Sequence, residues 1–130
     1  MIIADSSVWI DYFRGIDVPH TNKLDMALGT DEIFMGDLIV TEIMQGARTE
    51  KSISQIKDVI SKMQCVNMVG QIVAYQSAAN YRFLRSKGIT VRKTIDMLIG
   101  TYCIISNASL IHNDQDFDPM EEHLGLKVLK

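Results

Sequence analysis

Met1-Ile2-Ile3-Ala4-Asp5-Ser6-Ser7 opens the chain and decides its fold class. Its four apolar residues form a short run that is typical of a buried strand. Ser6 and Ser7 then stand where side-chain oxygens cap a helix, which we predict to continue to Phe13 and to end at Gly15. A buried strand that passes directly into a helix is the repeating unit of α/β proteins.

The same alternation of short apolar runs and helical periods continues along the chain. We predict further strands at residues 32–35, 65–69, 109–112 and 126–129. We predict further helices at residues 21–28, 37–47, 52–63, 71–86 and 94–107, with a capping box at Ser52 and Gln55 and a cap at Thr94. Strands that alternate with helices indicate right-handed crossovers and a mainly parallel sheet. We therefore expect an α/β fold in a single domain over residues 1–130.

Composition indicates a folded chain without covalent or metal support. The 130 residues are 47% hydrophobic and 22% charged, which argues against disorder, and this length buries enough surface to fold unaided. Cys65 and Cys103 form no zinc-type pair, so we predict two buried free thiols, with one structural disulfide as the alternative. The first residues lack a basic signal-peptide start, and no apolar run approaches the roughly 20 residues of a membrane span. These features favour a cytoplasmic protein.

Acidic residues fall at one edge of the predicted sheet. In open α/β sheets, sites lie beyond the carboxyl ends of the strands. Asp5 ends the first strand, and Asp114 and Asp116 follow the fourth. Glu42 lies close to the start of the helix after the second strand, and Asp96 lies in the first turn of the helix before the fourth. We therefore expect these five carboxylates to converge.

Each of these acids, taken alone, has a structural explanation. Asp5 can cap a helix, Glu42 can lie on a solvated helix face, and Asp96 can offset the helix dipole. Asp114 and Asp116 can form a turn. Their shared position at one edge of the sheet favours a functional site.

Clustered carboxylates repel one another unless a cation neutralises them. Hard oxygen ligands suit Mg²⁺ or Mn²⁺, and such ions promote the attack of water on phosphodiesters. Ser6, at a helix N-terminus, can hydrogen-bond a carboxylate or a phosphate. Gly46 and Gly100 each follow a site acid by one helical turn, so we predict that they leave space for an ion or a phosphate.

Four motifs in order resemble those of PIN-domain proteins, especially the VapC-like toxins of bacterial toxin–antitoxin pairs. The resemblance is carried by residues 2–11 (IIADSSVWID), 41–46 (TEIMQG), 95–100 (IDMLIG) and 110–117 (LIHNDQDF). The motifs extend from the first strand to the last loop, so the resemblance covers essentially the whole chain.

The resemblance implies a three-layer α/β/α sandwich on a five-stranded parallel sheet, and the activity of a Mg²⁺- or Mn²⁺-dependent endoribonuclease. By motif match, the acidic quartet is Asp5, Glu42, Asp96 and Asp114, with Asp116 as an auxiliary acid and Ser6 as a polar neighbour. The resemblance also implies a homodimer and an antitoxin whose C-terminal segment covers the site. Contact with DNA would then come only through that antitoxin.

A basic stretch precedes the third motif. Its members, with no acid among them, are Arg82, Arg85, Lys87, Arg92 and Lys93. This stretch predicts contacts to an RNA backbone, with a solvated helix end as the alternative. The net charge of −3 does not exclude RNA, since the quartet alone exceeds the surplus of acids over bases.

Aromatic and histidine side chains near the motifs can serve either in packing or in function. Trp9, Tyr12 and Phe13 can stack on bases, but a core or dimer contact is the commoner role of such a stripe. His112 stands in a strand pattern, and we predict a packed histidine rather than a catalytic base.

Other functions remain open at this stage. A phospho-accepting receiver also places acids at strand ends, but it needs an aspartate after its third strand, and residues 68–70 contain none. A non-catalytic RNA- or partner-binding module can share the fold. So can a PIN-like nuclease that acts on DNA or in RNA processing.

Overall fold

The structure is a computed structural model that describes residues 1–130. Its strands are β1 (Ile2–Ala4), β2 (Ile33–Gly36), β3 (Gln64–Val66), β4 (Ser109–Ile111) and β5 (Lys127–Val128). Its helices are α1 (Ser6–Phe13), α2 (Pro19–Leu28), α3 (Asp37–Gly46), α4 (Glu50–Ile60), α5 (Gly70–Ser86), α6 (Thr94–Ser106) and α7 (Asp118–Leu124), with a 3₁₀ turn at Gln115–Phe117. The strands form one parallel sheet in the order β3-β2-β1-β4-β5.

Strand β1 lies at the centre of the sheet. Ile2 pairs with Ile33 of β2 on one side and with Ser109 of β4 on the other. All three residues of β1 are buried, although successive side chains of a strand point to opposite faces. Both faces of the sheet are therefore covered by helices, which confirms the expected three-layer α/β/α sandwich.

Strand β3 is shorter than the sequence pattern predicts. It ends at Val66 instead of continuing to residue 69. Asp37 Oδ1 accepts a hydrogen bond from the backbone N–H of Met68 at 3.0 Å. This bond directs the backbone of Met68 to a side chain instead of a neighbouring strand, so the ladder stops.

Three predicted helix caps are wrong. Helix α1 begins at Ser6, and its cap is Asp5, whose side chain accepts from the backbone N–H of Ser7, so neither Ser6 nor Ser7 caps this helix. Helix α4 begins at Glu50, and its cap is Thr49, whose Oγ1 accepts from the backbone N–H of Ser52 at 3.0 Å. The cap thus lies three residues before the predicted box. Thr94 is the first residue of α6, and the preceding Lys93 occupies the cap position without a side-chain hydrogen bond.

The 3₁₀ turn and α7 were not predicted from the sequence. They contain three and seven residues, which is too short for a hydrophobic period to show. They are nevertheless anchored, since Phe117 and Met120 are fully buried. The chain after β4 therefore folds back against the sheet and the helices.

Both cysteines are free, but only Cys103 is buried. The predicted burial of Cys65 is wrong because Cys65 lies on β3, which pairs with one neighbour only and forms an edge of the sheet. None of the helices has both the length and the apolar character needed to cross a membrane.

Helix α6 and helix α7 meet at a glycine. A Cβ built on Gly100 would overlap Sδ of Met120, so the absence of a side chain at Gly100 lets Met120 pack against α6. The predicted role of Gly100, to leave space for an ion or a phosphate, is therefore wrong, because Met120 fills that space. Gly46 has open space where its Cβ would stand.

We expect Gly100→Ala to lower the free energy of unfolding by about 1–3 kcal/mol, because Met120 must move from its packed position. Adding Met120→Ala should relieve that overlap, so the two losses should not add. Urea denaturation of the four chains of this double-mutant cycle measures the coupling.

Gly46→Ala is the matched control, because it adds the same methyl group to a helix where space is open. It should be neutral or stabilising. Equal losses from Gly46→Ala and Gly100→Ala would contradict the packing role of Gly100.

Candidate metal centre

Asp5 joins the central strand to the first helix. Its backbone N–H donates to the carbonyl of Ile111 at 2.9 Å, which continues the pairing of β1 with β4. Its Oδ2 caps α1 by accepting from the hydroxyl of Ser7 at 2.8 Å and from the backbone N–H of Ser7 at 3.4 Å. Its Oδ1 is buried and has no hydrogen-bond partner. Asp5 is therefore a helix cap with one oxygen left over.

Glu42 and Asp96 each contribute one further buried carboxylate oxygen without a hydrogen-bond partner. Glu42 lies on α3, and Asp96 lies in the first turn of α6 with only 3% of its surface exposed. Glu42 Oε1 and Asp96 Oδ2 are buried and accept no hydrogen bond. Unpartnered buried carboxylate oxygens are costly, and here three of them come from three different elements.

Asp114 and Asp116 follow β4 and shape the turn at its end. Asp114 Oδ1 caps the 3₁₀ turn by accepting from the backbone N–H of Asp116 at 2.9 Å. Asp96, Asp114 and Asp116 each offer one carboxylate oxygen, and these three oxygens lie within 4.8 Å of one another. We call Asp5, Glu42, Asp96, Asp114 and Asp116 the acidic edge.

The pKa values show how burial and repulsion act at the acidic edge. Burial is the main cause that raises the pKa of Asp96 to about 7, and repulsion from Asp5 and Asp114 adds to the shift. Burial also raises the pKa values of Asp5 and Glu42, each with a further contribution from Asp114. The mutual repulsion of Asp5, Glu42, Asp96 and Asp114 shows that these four groups share one electrostatic environment.

One basic side chain reaches the acidic edge. Lys93 Nζ lies 3.8 Å from Asp114 Oδ2 and lowers the pKa values of Glu42 and Asp96. The Lys93 side chain is 61% exposed, so water screens this ion pair. A single screened lysine leaves most of the negative charge uncompensated.

The acidic edge fits a hard divalent cation. Its free ligand atoms are all carboxylate oxygens, three of them buried without a donor, and Mg²⁺ and Mn²⁺ prefer such ligands. The hydroxyl of Ser6, a buried residue, opposes the rise of the Glu42 pKa by hydrogen bonding to that carboxylate. No histidine or cysteine takes part, which separates this site from zinc centres.

His112 is packed, as the sequence pattern indicates. Its ring centroid lies 5.0 Å from that of the fully buried Phe117, and burial is the main cause that lowers its pKa. Its Nδ1 accepts a hydrogen bond from the backbone N–H of Asp114 at 3.2 Å. This bond was not predicted from the sequence.

The other predicted RNA-contact residues are exposed. Arg82 and Arg92 point to solvent, and the guanidinium of Arg85 lies 5.7 Å from the ring centroid of Tyr81. None of these arginines pairs with an acid within 4.0 Å. Ser7 donates to Asp5 Oδ2, a contact that the sequence pattern does not predict.

Helix α1 carries a stripe of aromatic residues, and the largest of them packs in the core. Trp9 is fully buried, with its ring centroid 5.8 Å from that of Phe13 and 6.0 Å from that of Tyr12. The predicted packing role is therefore confirmed for Trp9. Tyr12 and Phe13 are partly buried against the same core.

The fold and the acidic edge together define a class of protein. Residues 2–122 match the family model of the PIN domain. The chain is 30% identical to a VapC ribonuclease of Mycobacterium bovis, over 98% of this chain and 97% of that relative. Identity and coverage are the same for ribonuclease VapC11 of Mycobacterium tuberculosis. The chain therefore belongs to the PIN-domain family, in the group of the VapC proteins.

Solved structures agree in fold over the whole chain. VapBC2 from Rickettsia felis, bound to a DNA fragment from its promoter, aligns with a TM-score of 0.78 at 16% identity, over 99% of this chain and 98% of that chain. FitAcB from Neisseria gonorrhoeae aligns with a TM-score of 0.79 at 15% identity, over 100% of this chain and 97% of that chain.

We expect Asp96→Asn to raise the free energy of unfolding of the metal-free chain at pH 8 by about 1–3 kcal/mol. The raised pKa means that the fold disfavours the ionised carboxyl, so stability is lost as pH rises through about 7. The gain from the substitution should therefore shrink toward pH 5, where the native carboxyl is protonated. Urea denaturation of both chains in EDTA, at pH 8 and at pH 5, measures this gain in stability.

Asp25→Asn removes an exposed acid on α2 and serves as the control, with no gain expected at either pH. If Asp96→Asn were less stable than the native chain at pH 8, the burial and repulsion described for Asp96 would be contradicted.

Proposed function

We propose that this protein is a Mg²⁺- or Mn²⁺-dependent endoribonuclease and the toxin of a type II toxin–antitoxin pair. The observation that carries the metal dependence is the set of three buried carboxylate oxygens without donors, on Asp5, Glu42 and Asp96. The ribonuclease activity is supported by relatives named as VapC ribonucleases that match almost the full chain. In this proposal, residues 1–130 act as one catalytic domain.

The proposed ligands are the quartet Asp5, Glu42, Asp96 and Asp114, with Asp116 as an additional ligand. Asp5 and Asp114 each keep one oxygen in a helix-capping hydrogen bond, which fixes the orientation of the carboxylate. Asp96, whose pKa is about 7, must release its proton when a cation binds. When bound, a divalent cation supplies the Lewis acid that activates water and stabilises the leaving oxygen of a phosphodiester.

The residues around the acids would orient the scissile phosphodiester. Lys93 stands beside Asp114, so its ammonium can contact a phosphate oxygen once the cation neutralises the acids. Ser6, close to Glu42, can donate a hydrogen bond to the same phosphate or to the carboxylate. These groups hold the bond to be cut, and attacking water then displaces the leaving oxygen.

The substrate strand would extend over the basic end of α5 and the loop before α6. Residues 59–95 contain no acid and six basic residues, so the charge of this segment is opposite to that of the rest of the chain. Arg82, Arg85 and Arg92 lie in it and are exposed, and they precede Lys93, which stands at the acidic edge, in the chain. Such cations bind a phosphate backbone without reading its sequence.

The partners in this proposal are a VapB-like antitoxin, a second copy of the chain in a homodimer, and RNA. Contact with DNA would come only through the antitoxin, and the pair would act in the cytoplasm. The proposal is supported by similar solved structures that are VapBC and FitAB complexes bound to DNA. A neighbouring short gene for a DNA-binding protein would favour this role over a nuclease of RNA processing.

We expect the purified chain to cleave structured RNA in Mg²⁺ or Mn²⁺ and to stop in EDTA. Asp5→Asn and Asp96→Asn should each lower the cleavage rate on the order of 100-fold or more, because each removes a charged ligand oxygen. Asp25→Asn, which changes an exposed acid on α2, should cleave normally. Initial rates on end-labelled RNA, with a DNA strand of the same sequence in parallel, give the comparison.

Cleavage that persists in EDTA, or in both variants, would overturn the proposed metal quartet. Cleavage of DNA alone would favour the alternative PIN-fold nuclease. Tight RNA binding without cleavage in any metal would favour a non-catalytic binding module.

We expect Arg82→Ala with Arg85→Ala to weaken RNA binding in EDTA and to reduce the slope of log affinity against log salt by about 1–2. Each arginine that contacts a phosphate releases counterions from the RNA, so both effects should appear together. Filter binding across a salt series measures them.

The matched control is Lys51→Ala with Lys57→Ala, which removes two exposed cations from α4. An equal change of slope in the control pair would show that only net charge matters, and that the end of α5 is not the contact surface.

A further inference from the structure

The chain leaves the sheet just before it reaches Asp114. Ile111 is the last residue of β4, and its carbonyl still accepts the N–H of Asp5 at 2.9 Å. Beyond it, residues 112–114 belong to no strand or helix. A metal ligand on such a segment needs another contact that holds its carboxylate in place.

His112 supplies such a contact within this segment. The backbone N–H of Asp114 donates to Nδ1 of His112 at 3.2 Å, so the imidazole takes the acceptor role that a carbonyl has in a strand. That role requires a neutral ring with its proton on Nε2. Nδ1 is therefore engaged and does not face a reacting group.

The imidazole is itself held by the core. Its ring packs against Phe117 at 5.0 Å between centroids, with a tilt of 46°. Phe117 is fully buried and closes the 3₁₀ turn that Asp114 caps. His112 thus connects the buried core to the backbone of Asp114 in a single step.

The hydrogen bond to His112 matters because the two oxygens of the Asp114 carboxylate already have different partners. Oδ1 accepts from the N–H of Asp116, while Oδ2 stands 3.8 Å from Lys93 Nζ. One oxygen from each of Asp96, Asp114 and Asp116 falls within the same 4.8 Å. A rotation of the Asp114 backbone would move two of these three carboxylates at once.

We infer that His112 is a positioning residue, whose Nδ1 holds the Asp114 backbone so that Asp114 and Asp116 face Asp96. The metal-binding consequence rests on the proposed function, but the hydrogen bond itself does not. The role differs from that of a catalytic base, since an acceptor at the Nδ1 position is enough for it.

Three substitutions separate the hydrogen bond from packing. His112→Asn places an amide oxygen near the position of Nδ1, whereas His112→Gln places it near Nε2. His112→Phe keeps an aromatic ring against Phe117 and removes the acceptor. A catalytic base would be lost in all three.

In EDTA, hydrogen exchange of the Asp114 amide should be at least about 10-fold faster in His112→Gln and His112→Phe, and close to native in His112→Asn. Calorimetric titration with Mn²⁺ should show affinity about 10- to 100-fold lower in His112→Gln and His112→Phe, and largely kept in His112→Asn. Thermal unfolding in EDTA shows whether a loss of affinity merely follows a loss of stability.

Unchanged amide exchange in His112→Phe would overturn the inference. So would equal losses of Mn²⁺ affinity in all three variants that follow their unfolding temperatures, because packing alone would then explain them. A native chain that binds no Mn²⁺ would contradict the proposed function, while the amide exchange in EDTA would still decide the role of His112.

Discussion

The repulsion among buried carboxylates at one edge of the sheet is the constraint on which the rest of the structure depends. Burial and neighbouring charge raise the pKa of Asp96 to about 7, and the shifts of Asp5 and Glu42 have the same sign. The fold therefore loses stability where it gathers these groups. A continuous apolar core around β1 must supply that stability, since the hydrogen bonds at the edge are too few to do so.

Two of the carboxylates, those of Asp5 and Asp114, each use one oxygen in a local hydrogen bond and keep the other apart from it. Asp5 gives one oxygen to the hydroxyl of Ser7, and Asp114 gives one to the backbone of Asp116. The other oxygen of Asp5 has no donor, and that of Asp114 meets only an exposed lysine. A local hydrogen bond to one oxygen thus orients the carboxylate and leaves its other oxygen available. This arrangement explains why a capping role and a site role are compatible for the same residue.

Sequence patterns predict the parallel sheet and the placement of the acids at one edge of it, because both depend on periodicity and strand order. The three layers were expected from the resemblance to PIN-domain proteins. Sequence patterns fail where a single long-range contact decides. Asp37 ends β3 through the N–H of Met68, and Met120 fills the space beside Gly100. The bond from Asp114 to His112 depends on a rotamer, which no periodicity encodes. The motifs locate the candidate ligands, but not the geometry that orients them.

The central position of β1 also determines when the site comes into existence. Asp5 precedes Asp96 by 91 positions and Asp114 by 109 in the chain. The sheet pairs β1 with β4, so Asp114 reaches Asp5 only after β4 has docked on β1. Pairings of such long range form late and slowly. During synthesis a growing chain therefore carries its acids apart and inert, and the complete ligand set arises as one of the last events of folding.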